Sequence, residues 1–174
     1  MPALSKPELG ALRNPQEWVT PADPREAKRR GVYIVIRRNF SFPLFDRFDM
    51  PVNAESCPRR DVTTVAPQVL WTLNNDVSFD EAQAFAARLV KESGDNPPAW
   101  LDSAWRTALS RRPTAQEKQE ALAMMQKLVA QETGKPDPKD PIPAELAKIG
   151  PARAEALTKL CLAIFNLDEF IYVD

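Results

Sequence analysis

Ser78-Phe79-Asp80-Glu81-Ala82-Gln83-Ala84-Phe85-Ala86-Ala87-Arg88-Leu89-Val90-Lys91-Glu92-Ser93-Gly94 is the stretch that decides the fold. It opens on a capping box, in which Ser78 and Glu81 would each satisfy a backbone N–H that the first turn leaves free. Phe79, Ala82, Phe85, Ala86, Leu89 and Val90 then recur at helical spacing, and Gly94 supplies a stop. Only an amphipathic helix uses all of these signals together.

The same grammar repeats on both sides. Ala66-Pro67-Gln68-Val69-Leu70-Trp71-Thr72-Leu73 reads as a short apolar helix stopped by Asn74-Asn75. Pro97-Pro98 opens a helix with the stripe Leu101, Ala104, Trp105, Ala108 and Leu109. Thr114-Ala115-Gln116-Glu117 is a second capping box, followed by Leu122, Met125, Leu128 and Val129 and closed by Gly134. Residues 135–143 form a proline-spaced polar loop, and Gly150-Pro151 introduces a last helix whose apolar face is Leu157, Leu160, Cys161, Ile164 and Phe165. Trp71, Trp100 and Trp105 fall in apolar stripes and read as core.

The first third of the chain lacks this order. Of 17 prolines against 5 glycines, most lie in residues 2–24, 43–67 and 136–151. Proline fixes φ and removes a donor, so these segments read as extended or loop-like. Residues 1–24 are expected to be an extended arm carrying Trp18, with a turn or two of helix near 23–28. Val32-Tyr33-Ile34-Val35-Ile36 is the clear β-type run, with no partner of similar strength nearby. It either pairs with Phe170-Ile171-Tyr172-Val173 or lies buried as extended chain. The fold class is therefore mainly α: an irregular Pro/Arg-rich N-terminal half with at most one or two short strands, then an array of about four or five amphipathic helices. We expect the arm over 1–24 and one domain over 25–174, with an arginine-rich loop at 37–67 and helices across 66–166.

Composition narrows the chemistry. The chain has 174 residues, a formal charge of −1 and no histidine. Histidine is the usual general base near neutrality, the commonest metal ligand and the usual haem ligand, so triad, zinc-hydrolase and haem readings are poor. Cys57 and Cys161 cannot form a zinc site alone. The near-zero charge gives no global pull toward nucleic acid. No apolar run has the length of a membrane span, and the start, Met1-Pro2-Ala3-Leu4-Ser5-Lys6-Pro7, lacks a signal-peptide core. We expect no catalytic residue, no metal and no cofactor in this chain.

Several ordered motifs carry a resemblance. They are Arg37-Arg38-Asn39-Phe40, Pro43-Leu44, Phe48-Asp49, Ser56 through Gln68, Leu73-Asn74-Asn75, Ala104-Trp105, Arg111-Arg112-Pro113-Thr114 and the terminal Asn166-x-x-Glu169-Phe170-Ile171-Tyr172-Val173-Asp174. Over roughly residues 25–174 the sequence resembles the C-terminal part of a domain of unknown function in large exported planctomycete proteins, downstream of a cytochrome-c-like module. The resemblance implies a periplasmic or extracytoplasmic setting and partners among the upstream domains of a parent protein, the cytochrome-c-like module included. The cytochrome motif Cys-x-x-Cys-His is absent here, so no redox role passes to a residue of this chain.

Candidate site residues follow from the loop. Arg37, Arg38, Arg59 and Arg60 form two pairs able to bind a carboxylate, sulfate or phosphate through bidentate forks. Alternatively they pair with Asp46, Asp49, Asp61 or Glu169 and pin the loop to the helices. Cys57 and Cys161 either form a disulfide, as an exported setting permits, or stay free thiols. Arg111-Arg112 reads as a solvated helix cap. The expected function is a non-catalytic structural or docking module; the alternative is a binding module for an acidic or sulfated glycan through the loop arginines.

Overall fold

The computed structural model describes residues 22–23, 31–34, 45, 48, 66–131 and 142–171. The chain divides into two compact units, Met1–Thr64 and Val65–Asp174. In the first, Gly31–Tyr33 is a 3-10 turn closed by the Ile34 N–H donating to the Gly31 carbonyl at 3.0 Å. This corrects the strand expected from Val32: Val32 is 79% exposed and Tyr33 67%. A β-type run without a partner cannot satisfy a ladder, and the turn satisfies backbone groups locally. A Cβ on Gly31 would come within 2.9 Å of the Phe45 ring, so any side chain there would have to push that ring aside.

The second unit is helical: α1 (Ala66–Asn74), α2 (Asp76–Ser93), α3 (Pro97–Leu109), α4 (Ala115–Gln131), α5 (Ala144–Ala147), α6 (Pro151–Phe165) and α7 (Asp168–Ile171). No strand occurs among the described residues. The expected pairing of Phe170-Ile171 as a strand is replaced by α7, a single turn in which the Phe170 and Ile171 N–H groups donate to the Leu167 carbonyl.

Local signals set the ends. Asn75 caps α2, its Oδ1 accepting from the Val77 N–H at 2.8 Å, so the helix starts before the capping box expected at Ser78. An asparagine already sits at the break behind α1, and capping there keeps Val77–Phe79 helical. Gly94 ends α2 at φ 61 and donates its N–H to the Val90 carbonyl at 2.8 Å. Asn96 caps α3 ahead of the paired prolines. The second capping box forms as expected: the Thr114 N–H donates to Glu117 Oε2 at 2.7 Å, and the Glu117 N–H donates to Thr114 Oγ1 at 3.2 Å.

α6 is the hub. It packs mainly on α2 and α4 and touches every other helix of the unit. Its buried set, Ala154, Ala156, Leu157, Thr158, Leu160, Cys161 and Ile164, extends beyond the single face expected. A helix apolar on most sides belongs inside, and this one is enclosed. Ala82, Ala86, Leu89 and Val90 from α2 meet it, with Trp100, Leu101, Ala104, Trp105 and Leu109 of α3 and Ala121 and Met125 of α4 completing the core. Small alanines at 82, 86 and 154 let the helix axes approach closely. Leu146 of α5 and Ile149 plug one end. No described helix is long and apolar enough to cross a membrane.

Candidate functional site

The densest polar constellation among the described residues lies where α3 gives way to α4. Ser110 adopts a left-handed conformation, φ 57, as the C-cap of α3, which turns the chain sharply and delivers Arg111 beside the start of α4. There the Arg111 guanidinium takes two carboxylates. Nη1 and Nη2 donate to Glu117 at 3.0 and 2.6 Å, while Nε and Nη2 donate to Glu169 of α7 at 2.7 and 2.8 Å. The remaining Nη1 hydrogen reaches the Arg112 carbonyl at 3.2 Å. Every N–H of the guanidinium is thereby engaged. The expectation that Arg111 is a solvated cap is corrected: it is the centre of a clamp joining α3, α4 and α7. The side chains stay partly open to solvent, at 37% for Arg111, 31% for Glu117 and 44% for Glu169.

The electrostatics follow from that geometry. Arg111 holds Glu117 well below the usual carboxylate range, helped by the Thr114 backbone N–H. It holds Glu169 low as well, and its own pKa is raised in return. Trp105 contributes to keeping Glu117 ionised, although its buried indole N–H meets no acceptor at full hydrogen-bond geometry among the described residues.

A second ionic corner closes the opposite end of α3. Arg153 of α6 forms a bidentate pair with Asp95, one bond at 2.9 Å and the other, Nη2 to Oδ1, shorter still. Its guanidinium carbon lies 5.3 Å from the centre of the Trp100 ring. Trp100 donates its indole N–H to the Gly94 carbonyl at 2.6 Å, so a fully buried indole has its polar atom satisfied. Lys118 pairs with Asp102 between α3 and α4 at 2.8 and 2.9 Å.

An open groove of about 340 Å³ runs beside α7. Phe85, Phe165, Phe170 and Ala108 make its apolar wall, with Glu81 and Arg88 on the rim. Phe85 and Phe165 stack at 5.7 Å, and Phe165 and Phe170 at 5.0 Å. No cluster of metal-ligating side chains occurs among the described residues.

Arg37, Arg38, Arg59, Arg60 and Cys57 all lie outside the described residues, as do Trp18, Asp46, Asp49 and Asp61. Cys161 is described: it is a free thiol, fully buried on α6, and burial pushes its pKa up. Sequence reasoning did not connect Arg111 with Glu117 and Glu169. The signal was present, because Arg111 stands three residues before the capping-box threonine and Glu169 belongs to the terminal motif. What periodicity cannot supply is that α7 folds back against α3.

A comparison with curated proteins and another with solved structures returned no match. The family model described as a protein of unknown function (DUF1553) matches residues 4–125, a span that includes α1, α2, α3 and most of α4. That match covers more than half of the sequence, and the chain belongs to this family.

Proposed function

We propose that the chain is a non-catalytic structural or docking module of a larger exported, cytochrome-associated protein, seated against that protein's upstream domains. The setting comes from the resemblance to planctomycete exported proteins. The observation that carries the docking role is the apolar strip on α1 and the start of α2: Leu70 is 59% exposed and Val77 62%, with Val69 and Leu73 beside them. Large aliphatic side chains gathered in so short a stretch are the kind of surface a partner covers. The commitment of Arg111, Glu117, Glu169, Asp95 and Arg153 to structural ion pairs is consistent with a scaffold.

The test uses the purified chain and the separately produced upstream segments of its parent protein, the cytochrome-c-like module included. Binding by calorimetry is expected, and Leu70→Asp with Val77→Asp should abolish it while leaving the melting temperature within a degree or two of the parent. Binding that survives both substitutions would refute the assigned face. Selective retention of the chain on sulfated or acidic glycans, lost on replacing Arg37, Arg38, Arg59 and Arg60, would favour the ligand-binding reading instead.

A further inference from the structure

We propose that α7 is a strap that opens and closes over the Phe85–Phe165 wall while the helical bundle stays folded. Nothing in α7 is buried. Among the described residues its side-chain hold on the unit centres on the Glu169–Arg111 pair and the stack of Phe170 on Phe165. Each of these can break without leaving a stranded group inside. Arg111 keeps Glu117 and the Arg112 carbonyl, Glu117 keeps the Thr114 N–H, and Phe165 keeps Phe85.

The segment just before α7 is fixed, which places the hinge. Asn166 donates its Nδ2 to the Leu162 carbonyl at 2.7 Å and is bonded to Thr72 of α1, and its N–H donates to the Ala163 carbonyl. The Leu167 N–H still reaches Ile164 at 3.1 Å. Past Leu167, the Phe170 and Ile171 N–H groups donate to the Leu167 carbonyl, a bond that belongs to the strap itself. Opening at Leu167 therefore leaves α6 and its contacts intact and uncovers the Phe165 face of the groove. Such a sub-global opening costs far less than unfolding, since few apolar contacts are lost.

Amide exchange followed by nuclear magnetic resonance tests the idea on the full chain. The Phe170 and Ile171 amides are expected to exchange orders of magnitude faster than those of Leu160 and Cys161 on α6. Raising the salt concentration, which screens an exposed ion pair, should speed the two strap amides several-fold and leave α6 unchanged. Glu169→Gln should do the same, lowering the melting temperature by no more than an exposed ion pair is worth while α6 protection is retained, and Phe170→Ala should do more. Exchange of the strap amides in step with α6 would overturn the proposal. So would a Glu169→Gln variant whose α6 protection and melting temperature fall together.

Discussion

The two ends of α3 are held by the same kind of residue in opposite ways. At the entrance, Arg153 pairs with Asp95 and lies over Trp100, whose N–H is satisfied by Gly94. At the exit, Arg111 pairs with Glu117 and Glu169 in a position open to solvent, beside a Trp105 whose N–H meets no acceptor at full hydrogen-bond geometry among the described residues. The entrance is an aromatic plug with an ionic lid. The exit is an ionic clamp built over an imperfectly satisfied plug. An arginine–carboxylate pair is therefore no guide to where stability resides; what it covers is.

Replacing Trp100 breaks the comparison most severely. Trp100→Ala is expected to cost about 3–5 kcal/mol, as for other large-to-small changes at fully buried positions. Chemical denaturation measures it, and a loss comparable to a surface substitution would show that the entrance is not a plug. Trp100→Phe should cost about 1 kcal/mol or more, because the Gly94 carbonyl loses its donor. Trp105→Phe should cost less than Trp100→Phe in the same assay, since it removes a buried donor that meets no acceptor at full hydrogen-bond geometry among the described residues. A reversed order would mean that the Trp105 N–H is satisfied.

Acid sharpens the contrast from the other side. Glu117 and Glu169 have pKa values depressed in the folded state relative to the ordinary 4.5. Groups of this kind add stability above their unfolded pKa and lose it as pH falls through the folded one. Stability should hold on the neutral side and decline once the pH drops below 4.5. In Arg111→Met that acid-linked decline should shrink, and among the described residues Asp95, whose pKa Arg153 lowers, contributes to what is left. Thermal melts of both proteins across pH 3 to 7 decide this, and superimposable profiles would rule out the clamp as the source.

Cap placement gives a smaller effect. Asn75→Ala should cost on the order of 1 kcal/mol and Ser78→Ala well under that, because Asn75 holds the Val77 N–H. Equal losses would restore the capping box at Ser78. Smaller still is the effect of a bulky thiol reagent on the folded protein. Cys161 should be silent to it and react on denaturation, as its burial requires.

Much of the helical unit was legible because its signals are local. Gly94, Pro97-Pro98, Thr114-x-x-Glu117 and Gly150-Pro151 each act within a turn of where they stand, and the structure uses every one of them. The apolar stripes of α2 and α3 likewise name most of the residues that are buried. The sequence misled where a local preference met a better local alternative: Ser78 lost the cap to Asn75, and Val32-Tyr33 entered a turn. The Arg111 clamp was hidden for a different reason. It joins Glu169 to a residue 58 positions away, and no period or motif encodes which carboxylate will arrive there. The loop arginines lie outside the described residues, and the glycan-retention experiment above addresses them directly.

The central position of α6 bears on how the chain is born. A ribosome delivers α1 to α4 before the helix they all pack around exists, so their apolar faces wait uncovered for the length of chain that separates them from it. At usual elongation rates of roughly 5–20 residues per second that interval lasts seconds, long enough for a holding chaperone to matter. Contacts of α2 with α3 and of α3 with α4 can form first, yet the core they share is completed only by α6. It closes in one event when its hub emerges, and a nascent chain stalled before Pro151 should be as vulnerable to proteases as one that never folds.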